Sequence, residues 1–279
     1  MELSEWIAGH GGVAHRRDLN RAGFTDDRIR RAREAGRVRN VGGGWLATSS
    51  ASEAVVRAVA HGGRVACVSA AVARGLWVLT ADRLHVAVAA SSSAVAEPGV
   101  RLHRSRPLVP VDRASTIESI IDMLEHVAVC VPFEEAIAIW ESTLRAGLVA
   151  PAALAKVQWR RLASRALAKA VSMLSDSGLE SMVVARLRMW GVDLRQQVRL
   201  FGHAVDVLVG ERLIIQIDGW EFHSSASARA RDNRHDAALR LAGYTVIRIG
   251  YAEVVHGWAS IERELNMALA QGLHLASPA

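Results

Sequence analysis

Aromatic residues make up only 5% of the 279-residue chain, and lysine occurs just twice, at Lys156 and Lys169. The cores must therefore be filled by Ala, Val and Leu, and the positive charge is almost entirely arginine. Cysteine is nearly absent too. Cys67 and Cys130 stand alone, with neither metal-site nor redox spacing. A disulfide framework is thereby excluded, and both read as buried apolar thiols in a reducing cytoplasm. Nor does any apolar run reach the roughly 18–20 residues a membrane span needs. The longest candidate, residues 117–140, is interrupted by Glu118, Asp122, Glu125, Glu134 and Glu135. The opening MELSEWIAGHGG carries early acids and no basic segment, so it does not read as a signal peptide. These absences point to a cytoplasmic chain with no membrane partner.

What is present is hydrophobic and basic. Half of the chain is apolar, enough for well-filled cores, and the length suggests two or three domains. Net charge is +6. Guanidinium groups grip phosphate bidentately, so an arginine-rich basic chain favours phosphate-bearing partners, nucleic acid among them.

Residues 1–50 read as a small helical unit with a hairpin. Helices are expected over 2–10, 16–22 and 26–35, the last capped by Thr25 with Asp26 and Asp27 in its first turn. VRNVGGGWLAT then reads strand, glycine turn, strand. This is the order of a winged helix-turn-helix, with helix 26–35 in the recognition position. Arg28, Arg30, Arg31 and Arg33 on it, and Arg16 and Arg17 on the helix before, are the candidate contacts to double-stranded DNA. A solvated arginine face is the plainer alternative.

Residues 51–174 form a second α/β region, a connector or sensor module that could dock a partner protein. Strands are expected at 65–68, 83–89 and 100–104, with a Ser69-capped helix over 69–76. Helices are expected over 116–127, 132–146 and 151–174. His61, His85, His103 and His126 are scattered and read as structural or surface residues.

Residues 175–279 read α-β-β-β-α-β-α, a mixed sheet flanked by helices. HAVDVLVG carries Asp206 in an apolar strand, and LIIQIDGWEFH delivers Asp218 and His223. Glu180 lies upstream in SDSGLESM. Strand periodicity can present such acids at one sheet edge, where carboxylates bind a hard divalent cation, and an imidazole can accept a proton from water. Plainer readings stand beside each. Ser177-x-x-Glu180 fits a capping box, Asp218-Gly219 is a turn dipeptide, and His223 fits a surface loop. Asp232 and Asp236 read as surface i,i+4 partners of nearby arginines. Asp206 is hardest to dismiss, because an unpaired acid in an apolar strand is costly.

The words SGLES, QQVRLFGHAVDVLV, LIIQIDGWEFH and RDNRHDAALRLAGYTVIRI resemble the very-short-patch-repair endonucleases of the PD-(D/E)XK superfamily over about a third of the chain. GGVAHRRDLNRAGF, RVRNVGGGWLATS and VACVSAAVARGLWV resemble the AbiEi-type antitoxin architecture, a winged helix followed by a regulator domain. The first resemblance implies Mg²⁺ (or Mn²⁺) held by Asp206, Asp218 and Glu180, and His223 as general base. Arg231, Arg234 and His235 would hold the phosphate. The implied activity is a DNA endonuclease, nicking mismatched, deaminated or foreign DNA. One departure is plain. Gln216-Ile217-Asp218 stands where the superfamily has an acid, any residue and lysine. Gln216 can offer only a carbonyl oxygen. An inactive nuclease-like domain on an antitoxin-like autorepressor is the alternative.

Overall fold

A computed structural model describes residues 1–219 and 226–276, with the side chains of 226–232 left undescribed. The chain packs as two compact units, Met1–Val131 with Leu148–Ala168, and Pro132–Gly147 with Lys169–Ala279. Both mix helices and sheet. No described helix is long and apolar enough to cross a membrane.

The first unit begins α1 (Leu3–Gly9), β1 (Val13–His15), α2 (Arg16–Arg21), α3 (Asp26–Glu34), β2 (Arg39–Gly42) and β3 (Trp45–Ala47). The strands form an antiparallel sheet in the order β1-β3-β2. Thr25 caps α3 by accepting from the Arg28 N–H at 3.4 Å, and the chain leaves the helix through Gly36 at φ +68°. Leu3, Ile7, Leu19, Phe24, Ile29, Val38 and Leu46 close one core beneath these elements.

There follow α4 (Glu53–Ala60), β4 (Arg64–Val65), α5 (Cys67–Val72), β5 (Leu84–Val88), β6 (Val100–Arg104) and α6 (Ile120–Cys130). Strand β4 runs antiparallel to β5, and β5 parallel to β6. The strand expected over 65–68 stops at Val65. Cys67 sits at φ +50° and turns the chain at once into α5. Ser69 therefore caps nothing; its hydroxyl accepts from the His85 N–H at 2.9 Å. Cys67 and Cys130 are not isolated either. They meet His85 and His103, donor atoms all within 4.8 Å of one another. Sequence spacing hides this because four different elements deliver the four residues.

Gly63 sits at the close approach of α4's exit to β5. A Cβ there would lie 2.5 Å from the Ala87 carbonyl oxygen and 2.6 Å from Val86 Cγ1. Gly63→Ala is expected to cost about 1–3 kcal/mol through overpacking against backbone. Urea unfolding would measure it, and an unchanged midpoint would contradict the contact.

After α6 come α7 (Phe133–Arg145), α8 (Pro151–Lys156) and α9 (Leu162–Ala170). The single helix expected over 151–174 is thus two, separated where Trp159 turns inward, its indole N–H donating to the Leu154 carbonyl at 3.2 Å.

In the second unit, α10 (Gly178–Arg188) precedes β7 (Leu194–Leu200), β8 (His203–Val209), β9 (Leu213–Asp218), α11 (Ala226–Leu241), β10 (Thr245–Gly250), α12 (Tyr251–His256) and α13 (Trp258–Ala270). The sheet order is β10-β9-β8-β7, parallel between β10 and β9 and antiparallel elsewhere. Phe201 (φ +48°) and Gly202 (φ +85°) join β7 to β8 as a two-residue loop, both left-handed, which suits the twist of the strands. Strand β9 is central, so Leu213 through Ile217 are all buried. Helix α7 packs along α10, and Trp140 is fully buried. Beside it Glu141 is 2% exposed, its carboxylate accepting from the Ser181 hydroxyl at 2.6 Å and the Ser172 N–H at 2.8 Å. Those bonds satisfy a charge that burial would otherwise penalise.

Candidate active site

Strand β8 delivers Asp206 between Val205 and Val207, both completely buried. The paired rungs of β8 and β9 end at Val207–Ile215. At the next position side chains replace the ladder. The Asp206 carboxylate accepts from the Ile217 N–H at 2.7 Å, and the Gln216 amide oxygen accepts from the Asp206 N–H at 3.4 Å. On the other side, Gln196 pairs with Val207 and Val198 with Val205, which sets Gln197 opposite Asp206. Gln197 adopts φ +53°, a conformation uncommon for a residue with a Cβ.

Glu180 comes from the first turn of α10. Ser177 caps that helix, accepting from the Glu180 N–H at 3.1 Å, while the Glu180 carboxylate accepts from the Asp176 N–H at 2.8 Å and from Gln197 at 3.4 Å. Only half of the expected capping box is made: Ser177 caps the helix, but the Glu180 carboxylate takes the Asp176 N–H rather than that of Ser177. Burial pushes the Glu180 carboxyl up, and the nearby Asp176 charge adds to this. Asp206 is pushed up to about 6, first by burial and then by the charges of Glu180, Asp218 and Asp176, against the lowering effect of the Ile217 N–H.

Asp218 ends β9 and is exposed. It is not without a cation. Arg248 on β10, beside Gln216 in the parallel register, donates to Asp218 at 2.8 Å and to Asp236 at 2.8 Å. Those two carboxylates hold its guanidinium well above the ordinary arginine range. Asp236 corrects the expectation of a surface i,i+4 pair. It is 4% exposed and its partner is on the neighbouring strand. Arg248 went unrecognised in the sequence; the available signal was an arginine inside the buried strand TVIRIG.

The other expected residues fall as follows. Trp220–Ser225, and so His223, lie outside the described residues, as does the Arg231 side chain. Arg234 is exposed on α11. The His235 Nε2 donates to the Leu200 carbonyl at 3.0 Å, and its ring sits 4.9 Å from that of His203. In the first unit, Arg28, Arg30, Arg31 and Arg33 are exposed on α3, and Arg16 and Arg17 are exposed on α2. Arg16 pairs with Asp26 at 2.8 Å; Arg30 and Arg31 share Asp27; Arg28 lies 4.9 Å over the Phe24 ring.

The donors around Asp206 are carboxylate oxygens and an amide oxygen, the set a hard cation takes. The charges of Glu180, Asp218 and Asp176 act on Asp206, while Arg248 pairs with Asp218 and Asp236 and Arg145 acts on Glu180. A divalent cation would offset that crowding of negative charge, but the donor atoms of Glu180, Asp206 and Asp218 do not stand together as a ready-made ligand group.

Residues 179–269, about a third of the chain, match the family model REase_MTES_1575, a restriction endonuclease-like domain. The matched span holds Glu180, Asp206, Gln216, Asp218 and Arg248. It places a nuclease-like domain at the C-terminal end of the chain. Among solved structures, the catalytic domain of the homing endonuclease I-Bth0305I is similar at 19% identity, over 35% of this chain and 97% of that one, with a TM-score of 0.31. No curated protein matches.

Proposed function

We propose that the chain is a metal-dependent endonuclease acting on double-stranded DNA. The observation that carries this reading is Asp206, a half-buried acid where the β8–β9 ladder ends, whose carboxyl is pushed up to about 6 by burial and three neighbouring carboxylates. Asp206, Asp218 and Glu180, with the Gln216 carbonyl oxygen, would hold Mg²⁺ or Mn²⁺. When bound, such a cation offsets charge developing on the scissile phosphate and lowers the pKa of a coordinated water.

The remaining roles belong to side chains. Glu180, fixed by the Asp176 and Gln197 hydrogen bonds, orients the acidic edge. Arg248 holds Asp218 in place. His223 takes the proton from the attacking water, and Arg231, Arg234 and His235 line the path of the phosphate. Residues 1–50 act as a winged helix that sets α3 against the duplex, where Arg28, Arg30, Arg31 and Arg33 meet phosphates and base edges. The very-short-patch-repair likeness supplies the substrate class: mismatched, deaminated or foreign DNA. The middle region, residues 51–174, connects the two ends and is the surface for a partner protein.

One observation favours a second reading. Asp218 is engaged by Arg248, and Gln216 brings no charge, which together suit an inactive domain on an antitoxin-like transcriptional autorepressor. The deciding experiment is cleavage of supercoiled plasmid and of mismatch- or uracil-containing duplexes with Mg²⁺, Mn²⁺ or EDTA. Nicking that needs the metal is expected. Folded protein that binds its own promoter tightly in EDTA, and cuts nothing in either metal, would establish the repressor instead.

A further inference from the structure

Outside the acidic edge, the first unit carries a second donor cluster of opposite chemical character. Cys67 opens α5, His85 lies on β5, His103 on β6, and Cys130 closes α6. His85 is level with Arg101 and His103 with Ala87, two residues along the same strand pair, so both imidazoles rise from one sheet face. The two cysteines approach from the helices packed on that face.

The spacing of the donor atoms is specific. His85 Nδ1 lies 3.1 Å from His103 Nε2 and 3.5 Å from Cys130 Sγ, and Cys130 Sγ lies 4.0 Å from His103 Nε2. All four donors, Cys67 included, lie within 4.8 Å of one another. Zinc bonds of about 2.3 Å to sulfur and about 2.0–2.1 Å to nitrogen define a tetrahedron with edges of roughly 3.3 Å between nitrogens, 3.5 Å between nitrogen and sulfur and 3.8 Å between sulfurs. The three edges among His85, His103 and Cys130, at 3.1, 3.5 and 4.0 Å, lie within about 0.5 Å of that figure, and Cys67 Sγ stands within 4.8 Å of each of the other donors.

The surroundings hold the donors in place. Cys67 keeps its left-handed φ of +50° while its N–H donates to Glu118 at 3.3 Å. The other Glu118 oxygen lies 2.8 Å from His126 Nδ1, and His126 Nε2 is 2.8 Å from the Ser105 hydroxyl. The His126 ring stacks on His103 with centroids 4.6 Å apart. The His85 backbone is tied by the Ser69 hydroxyl. Such outer contacts orient ligand rings in metal sites.

We propose that Cys67, His85, His103 and Cys130 form a structural zinc site. Four protein ligands close the tetrahedron, so no position remains for substrate or water, which is the signature of a structural rather than a catalytic ion. Thiolate and imidazole donors select zinc over the hard cations suited to Asp206. The sheet it would hold together is small, with only two residues in β4. A metal ion there would tie α5, β5, β6 and α6 to one point.

Elemental analysis of the full-length chain, purified under reducing conditions without chelator, should find one zinc per chain. The metal should remain in Asp206→Asn and disappear in His103→Asn and in the Cys67→Ser/Cys130→Ser pair. Loss of metal through unfolding of those variants is separated from loss of a ligand by two further readouts on the wild-type chain. Cobalt added after zinc removal should give the visible bands of a tetrahedral thiolate site. Titration with a mercurial should release the zinc as two thiols react. Zinc well below one per chain together with no cobalt bands would overturn the site. So would a Cys67–Cys130 disulfide in freshly isolated protein, or zinc retained by the double cysteine variant.

Discussion

Asp206→Asn is expected to abolish cleavage and yet raise the melting temperature at neutral pH. Asparagine keeps an oxygen for the Ile217 N–H, now 2.7 Å from the Asp206 carboxylate, but removes the charge. The loss of charge removes a cation ligand, for which several kcal/mol of transition-state stabilisation, on the order of 10³-fold or more in rate, is at stake. The stability change has the opposite sign. The folded carboxyl sits at about 6, above its ordinary value near 3.9. Below about pH 4 folded and unfolded chains are both protonated, and burial carries no charge penalty. Between about 4 and 6 the unfolded chain gives up its proton first, so wild-type stability declines as pH rises, and above 6 the penalty is complete. Two units correspond to about 3 kcal/mol at most, or a few degrees in melting temperature. Melting both proteins in EDTA from pH 4.5 to 8 should show the gap open across this window. Coincident melting curves at pH 8 would refute the buried-charge account, and metal-dependent cutting by Asp206→Asn would refute the site.

The second large effect belongs to Arg248. Its guanidinium bonds Asp236, 4% exposed, and Asp218. Arg248→Ala leaves the Asp236 charge buried without that partner, which is expected to cost about 3–5 kcal/mol. Replacing both partners, as Arg248→Met with Asp236→Leu, should recover most of the loss, because an apolar pair avoids the desolvation of two ions. Chemical denaturation of the three proteins measures both changes. A loss below about 1 kcal/mol for Arg248→Ala would mean that the pair is solvated rather than structural.

What could be read from the sequence depended on how local each signal was. Strand β9 announced itself as an apolar run broken only by Gln216, and Asp206 as an acid between two valines. The α3 cap at Thr25 needed only its own neighbours. Asp236 was misread and Arg248 passed over because each fits a plain local role, one as a helix-surface acid and one as a strand residue, while their pairing crosses two elements. Cys67, His85, His103 and Cys130 were invisible for the same reason. Metal-ligand spacing rules detect donors that share a turn or a hairpin, and these four share none. Cys67 also required a left-handed backbone that no cysteine in a sequence advertises.

Helix α7 carries a practical consequence. It packs on α10 and brings Trp140 and Glu141 into the same unit as the nuclease-like sheet, yet it is separated from α10 by residues that fold with the first unit. The nuclease-like unit is thus discontinuous in the sequence. A fragment cut to the residues of the family match, or begun at Ser175, leaves the Ser181 hydroxyl without Glu141 and strips α10 of its apolar cover. Transplanting or dissecting this nuclease-like half therefore means carrying residues 132–147 along with it, by a linker across the gap or by supplying that helix in trans.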